Sequence, residues 1–193
     1  MRPRHPMKLS RHLSVPLLFL AGCAQALPPR ETGRVRHLGP DLVFPDVVLE
    51  IRYFSERNSV GRPIDGYESA RALLSEPAAA ALAKVQQDLR PFGLGLKIFD
   101  AYRPQRAVGH FVRWARDAAD ERMKSEYYPE VDKRNLFKED YIAERSGHSR
   151  GSTVDVTLVN LSPPHQELDM GTGFDFFGVA SWPDHPGLSP VQR

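Results

Sequence analysis

The sequence has little cysteine and no long hydrophobic run near its start. Cys23 is the only cysteine among 193 residues, so no disulfide can form within the chain and a disulfide-stapled scaffold is excluded. The apolar stretch at residues 13–21 is shorter than the roughly 20 residues that a membrane-spanning helix needs, which excludes a permanent span there. Internal repeats are absent, which excludes a solenoid. The length and the 41% hydrophobic content suffice for one domain with a proper core.

Acidic residues are absent from the first 22 positions. The formal net charge of the whole chain is +2, and Arg2, Arg4, Lys8 and Arg11 supply more than this excess. The rest of the chain is therefore slightly acidic, which argues against nucleic acid as a partner.

The N-terminus has the pattern of a targeting segment, with a basic region followed by a short apolar stretch. It ends in Leu-Ala-Gly-Cys at Cys23, which resembles the lipobox of bacterial lipoproteins. This resemblance implies a signal peptide at residues 1–22, a lipid on the sulfur of Cys23, and an exported, periplasmic protein that meets the membrane only through that anchor. An ordinary secretory signal cut near Ala26 is the alternative.

The segment 23–45, rich in proline and glycine, is predicted to be a tether.

Periodicity and turn residues divide the remainder into separated strands and helices. We predict strands at residues 47–53, 94–100 and 154–158, and helices between Ser75 and Pro91, after Pro104, and over residues 132–144. This order predicts an α+β fold with a small, mostly antiparallel central sheet flanked by helices.

A histidine and an aspartate stand out near the last strand. His148 lies in a polar turn that contains glycine, and Asp155 follows seven positions later among alternating apolar residues. In a strand of period two, the apolar set faces the core and Asp155 faces a cleft. An imidazole and a carboxylate are suitable ligands for a divalent metal ion. On this pattern alone, a capping histidine and an exposed strand aspartate are an equally good interpretation.

Four stretches together resemble the D-alanyl-D-alanine dipeptidases. Residues 146–155 resemble their Ser-x-His-x-x-Gly-x-x-x-Asp metal motif, and residues 99–104 resemble their arginine-bearing strand end. Residues 169–175 resemble their Met-Gly-x-x-Phe-Asp loop, and residues 58–67 a further loop in which Ser59 replaces phenylalanine. The resemblance implies that residues 46–193 form one catalytic domain with a single zinc ion in a cleft at the sheet face. It implies hydrolysis of the D-Ala-D-Ala dipeptide to free D-alanine, in cell-wall peptide turnover or glycopeptide resistance.

The resemblance also implies roles for six residues. His148 and Asp155 would bind zinc, Arg103 would stabilise the transition state, Ser146 would bind the substrate carboxylate, and Tyr53 and Asp175 would lie near the substrate amino group. Without the resemblance, the sequence favours a surface position for Arg103. Strand packing for Tyr53 and a turn cap for Asp175 would then be equally good interpretations.

One part of the family pattern is missing from this sequence. The family takes its third zinc ligand and its general base from a Glu-x-x-His segment, and no such segment occurs here. His185 is a remote candidate ligand. We therefore expect that the C-terminal end of the domain is missing. Three possibilities stay open: an active dipeptidase, an impaired homologue that only binds the dipeptide or muropeptide ends, and a D,D-carboxypeptidase.

Overall fold

A computed structural model describes residues 45–192 and the backbone of residues 35–38. The predicted signal peptide, residues 1–22, and the lipidation site Cys23 lie outside the described residues. The strands are β1 (Val35–Leu38), β2 (Val48–Leu49), β3 (Ala72–Ser75), β4 (Leu94–Asp100) and β5 (Asp155–Asn160). The helices are α1 (Glu76–Leu89), α2 (Gln105–Arg116) and α3 (Lys124–Tyr127). These elements confirm the predicted α+β class, and no described helix is both long and apolar enough to cross a bilayer.

The central sheet has three strands in the order β2-β4-β5. Strand β4 pairs with β5 in antiparallel orientation and with β2 in parallel orientation. The sheet is therefore mixed, and its predicted mostly antiparallel character is not confirmed. The predicted strand at residues 47–53 is also shorter than expected, because Tyr53 lies in a 3-10 turn, Arg52–Phe54.

Strand β1 forms a separate two-stranded antiparallel ribbon with β3. It lies inside the segment 23–45 that the sequence predicts to be a tether. At least these four residues therefore pair with the domain through backbone hydrogen bonds, although their proline- and glycine-rich flanks are typical of a linker.

The hydrophobic core has two parts, one on each of the two longer helices. Around α2, a mainly aromatic cluster contains the buried Phe111 and Trp114. Around α1, small residues such as Ala79 and Ala83 allow the helix to pack closely on β4. Helix α1 begins after Ser75 with Pro77 in its first turn, a position where the missing amide proton costs nothing.

The predicted helix at residues 132–144 is wrong. Only Lys133–Asn135 form a short 3-10 turn, which Asp132 caps by accepting from the amide of Arg134. The chain then turns at Asp140, whose φ is 60°. This turn lets the buried Leu136 and Ile142 join the aromatic cluster together, and tertiary packing overrides the helical pattern.

Strand β5 only partly follows the predicted alternation. Leu158 is partly buried against the core, but Val156 on the same face is 41% exposed, and the fully buried Val159 lies on the opposite face. Among the described strands β5 lies at the edge of the sheet, so apolar residues along it do not all reach the core.

Candidate metal centre

A short 3-10 turn, Gly147–Arg150, holds His148 in place. The hydroxyl of Ser146 accepts a hydrogen bond from the His148 amide at 3.2 Å and so caps the turn. Gly151 closes the turn with a left-handed φ of 67°, and its amide donates to the His148 carbonyl at 2.9 Å. The polar, glycine-containing sequence therefore fixes the backbone of the histidine from both sides.

We expect Gly151→Ala to lower the free energy of unfolding by about 1–2 kcal/mol, because a Cβ is strained at positive φ. Urea denaturation would measure this loss. Gly173→Ala is the matched control, since its Cβ would have no heavy atom within 4 Å. Equal stability of the two variants would contradict the role given to Gly151.

An irregularity in the sheet brings the acidic residues of the site together. The β4–β5 register shifts between Ile98 and Asp100, so that Asp100 lies opposite Asp155. A bulge of this kind re-aims the side chains at the end of a strand. The chain then continues to Arg103, whose amide donates to the His148 carbonyl at 3.3 Å. The end of β4 and the histidine turn are therefore joined by their backbones.

Three side chains form a group that could hold a metal ion: Asp100, His148 and Asp155. One ligand atom from each lies within 4.8 Å of the others. Nε2 of His148 is 3.3 Å from Oδ1 of Asp155. At the other side of the ring, Nδ1 lies 2.8 Å from the Ala101 carbonyl oxygen. Since a carbonyl can only accept, Nδ1 carries the proton, and the lone pair of Nε2 faces the Asp155 carboxylate.

This arrangement requires a positive charge between Nε2 and the carboxylate. Burial lowers the pKa of His148, but the hydrogen bond and charge of Asp155 and the charge of Asp100 outweigh it, so the pKa lies above its ordinary value. A divalent ion would meet the same need, with an imidazole nitrogen and a carboxylate oxygen as ligands. The carbonyl behind Nδ1 is the orienting partner that metal-binding histidines usually have. The donor set therefore fits a divalent cation.

Asp100 is a site residue to which the sequence analysis gives no role. Its carboxylate is fully buried. Oδ2 accepts from Nη2 and Nε of Arg103 at 2.9 and 3.1 Å and lies 3.3 Å from Nδ1 of His148, while Oδ1 accepts from the Tyr67 hydroxyl at 2.7 Å. Because protein donors already occupy both oxygens, Asp100 orients the guanidinium and the imidazole. The sequence feature that could have indicated a role for Asp100 is its position at the end of a predicted strand, three residues before Arg103.

Arg103 lies beside the metal-ligand pair. Its Nη2 is 3.8 Å from Oδ2 of Asp155. The guanidinium carbon lies 4.9 Å from the centre of the Tyr53 ring and 5.1 Å from that of Phe111. Two aromatic faces and the Asp100 carboxylate thus hold a permanent positive charge at the site. Arg103 is not a free surface side chain.

Asp175 and Tyr53 come together although 122 positions separate them in the chain. The Tyr53 hydroxyl lies 3.0 and 2.9 Å from the two carboxylate oxygens of Asp175, and Ser59 donates to Oδ2 at 3.2 Å. Burial raises the pKa of Asp175 to about 6, although hydrogen bonds from Tyr53 and Ser59 and the charge of Arg103 pull it down. Asp175 and Asp155 line the same cleft, whose volume is about 500 Å³. Glu167 also lines this cleft, which is therefore bordered by three acidic side chains.

Ser146 lies in a different depression from the carboxylates. It lines a cavity of about 220 Å³ together with Arg103 and Arg145. Its hydroxyl oxygen accepts from the His148 amide, so its proton is still free to be donated. His185 is not a member of the described ligand group. The structure therefore brings together His148, Asp155, Arg103, Tyr53 and Asp175. Ser146 lies in a separate cavity that Arg103 also lines.

Comparison with known proteins supplies a family. A sequence model described as D-ala-D-ala dipeptidase matches residues 36–192. A D-alanyl-D-alanine dipeptidase of Streptomyces coelicolor is 39% identical over 135 residues, which cover 70% of this chain and 66% of that protein. A protein of the same name from Enterococcus faecalis is 39% identical, with 74% and 70% of the two chains covered. One from Escherichia coli is 35% identical, with 79% and 67% covered.

The alignments therefore span about two thirds to four fifths of each protein. The family match, over residues 36–192, includes the strands of the central sheet and the residues of the candidate metal centre. The chain belongs to the D-Ala-D-Ala dipeptidase family of peptidases.

Proposed function

We propose that this protein binds D-alanyl-D-alanine and hydrolyses it to free D-alanine with the help of one zinc ion. The observation that carries the proposal is the pair His148 Nε2 and Asp155 Oδ1, 3.3 Å apart, with the Arg103 guanidinium 3.8 Å from the same carboxylate. This pair supplies metal ligands, and the guanidinium supplies a fixed positive charge beside them. Family membership supports the substrate class.

Zinc bound at this site would supply a Lewis acid and lower the pKa of water, which is the chemistry that amide hydrolysis requires. The residues that would hold it are His148 and Asp155. The Ala101 carbonyl keeps the proton on Nδ1 and leaves Nε2 free to bind the ion. Asp100 fixes the ring from the same side.

Arg103 acts on the charge that develops during hydrolysis. When water adds to the peptide carbonyl, negative charge accumulates on the former carbonyl oxygen. A guanidinium held by Asp100 and two aromatic rings needs little reorganisation to receive that charge. Arg103 is therefore the proposed oxyanion stabiliser.

A free dipeptide carries a charge at each end, and the site has a group for each. The Asp175 carboxylate, in the cleft with Asp155, suits the α-ammonium group. The Ser146 hydroxyl, in a cavity that Arg103, Arg145 and Asp140 also line, suits the α-carboxylate. Recognition of both ends would favour a dipeptidase over an endopeptidase.

Binding without turnover is a second candidate function. Among residues 45–192 the ligand group consists of two aspartates and one histidine, with no glutamate and no second histidine. A general base for the attacking water is therefore not evident in the described part of the site. Such a protein would hold the dipeptide but release it unchanged.

The test uses the full chain loaded with zinc. We expect release of D-alanine from D-Ala-D-Ala, loss of this release with a chelator, and no release from L-Ala-L-Ala. Calorimetric binding of D-Ala-D-Ala without D-alanine release would favour the second candidate. The proposed substrate would be wrong if the protein neither bound nor cleaved D-Ala-D-Ala, or if it cleaved L-Ala-L-Ala equally well.

A further inference from the structure

Ser59 is a buried residue whose hydroxyl has a charged hydrogen-bond partner. The residue is 1% exposed, and its Oγ donates to Oδ2 of Asp175 at 3.2 Å. The contact joins two segments that are 116 positions apart. Where this loop resembles the dipeptidase pattern, the pattern has phenylalanine, which cannot donate.

The loop that carries Ser59 is held rigidly by its neighbour Asn58. Oδ1 of Asn58 accepts from the amides of Val60 and Gly61 at 2.9 and 3.1 Å. Nδ2 of Asn58 donates to the carbonyls of Ser55 and Arg62 at 2.6 and 2.9 Å. These bonds fix the backbone on both sides of Ser59. Since the side chain is also buried, its hydroxyl has little freedom to move away from Asp175.

The Tyr53 hydroxyl alone cannot fix the Asp175 carboxylate. It lies at nearly equal distances, 3.0 and 2.9 Å, from the two oxygens, but it has one proton and donates to one oxygen at a time. Donation from Ser59 to Oδ2 leaves Oδ1 for Tyr53. The two hydroxyls together therefore set the orientation of the carboxylate, and both stabilise its charged form.

We propose that Ser59 is a positioning residue that aims the Asp175 carboxylate at the α-ammonium group of the substrate, and so contributes to the preference for dipeptides with a free amino end. The inference rests on the proposed function, in which Asp175 binds that ammonium group. Ser59 touches no substrate itself and acts through Asp175.

The experiment compares the zinc-loaded wild type with Ser59→Ala and Ser59→Thr. We expect Ser59→Ala to raise KM for D-Ala-D-Ala by about three- to tenfold, the effect of one typical hydrogen bond, with kcat within about twofold. Ser59→Thr keeps the hydroxyl and restores KM. Inhibition by N-acetyl-D-Ala-D-Ala, which has no ammonium group, stays unchanged in both variants.

A KM of Ser59→Ala equal to that of the wild type overturns the proposal. So does a parallel loss of kcat, thermal stability and N-acetyl inhibition that Ser59→Thr does not restore, because a structural role alone would produce it. If the wild type binds the dipeptide without turnover, the calorimetric Kd replaces KM and the same comparison decides. If the wild type neither binds nor cleaves the dipeptide, the proposed function fails, and the inference about Ser59 fails with it.

Discussion

Asp155→Asn is expected to lower the affinity for zinc by more than about 100-fold and to remove dipeptidase activity. Mutation of a residue that only orients a metal ligand lowers metal affinity by about 10–100-fold, so loss of a ligand itself should lower it further. The amide has the shape of the carboxylate, but it has no charge to balance the ion and presents a weaker donor to it. Calorimetry with zinc and the release of D-alanine measure the two effects.

A matched control for this substitution is Asp184→Asn, since Asp184 is exposed and lies outside the described ligand group. His185→Ala is a second control, because it tests the remote candidate for a third ligand. Both variants should keep wild-type affinity. If Asp155→Asn also keeps it, the ion does not bind at the His148–Asp155 pair and the assignment of the site is wrong.

Arg103→Lys is expected to lower kcat/KM by about 10²–10³-fold, the loss found on removal of an oxyanion-hole donor, and to leave zinc affinity within about tenfold. Lysine keeps the charge, but it cannot reproduce the two hydrogen bonds to Asp100 or the flat contacts with Tyr53 and Phe111. Steady-state kinetics on D-Ala-D-Ala give the first quantity and calorimetry the second.

Arg106→Lys is the control here, because Arg106 is a neighbouring exposed arginine whose partner Glu68 lies on the surface. It should change kcat/KM little, since surface ion pairs contribute little. Wild-type kcat/KM in Arg103→Lys would show that positive charge alone suffices. A large loss of zinc affinity in the same variant would instead show that Arg103 contributes to zinc binding.

The local part of the site could be predicted from the sequence. His148 and Asp155 are seven positions apart, and the glycine-containing turn and the strand between them are local structures. Arg103 follows a strand end that alternation reveals. The role of Asp100 could not be predicted in the same way, since it depends on a register shift that leaves no mark in the hydrophobic pattern.

Contacts between segments that are distant in the chain could not be predicted from the sequence pattern either. Tyr53 and Asp175 are named by resemblance, but the third member of their hydrogen-bond group, Ser59, was noted only as a departure from the pattern. The helix predicted at residues 132–144 failed for a related reason. Its apolar residues are spaced as in a helix, but the aromatic cluster of α2 draws Leu136 and Ile142 inward across a turn at Asp140.

The bulge at the end of β4 has a consequence for how the protein tolerates change. In an uninterrupted antiparallel ladder, the residue after Ile98 would lie opposite Asp155, and that residue is Phe99. The extra residue puts the acid there instead. If the ladder ran on without this shift, the sheet would keep its hydrophobic composition, but a benzyl group would take the place of the carboxylate beside the imidazole. The irregular register between Ile98 and Asp100 is thus under the same constraint as the ligands themselves.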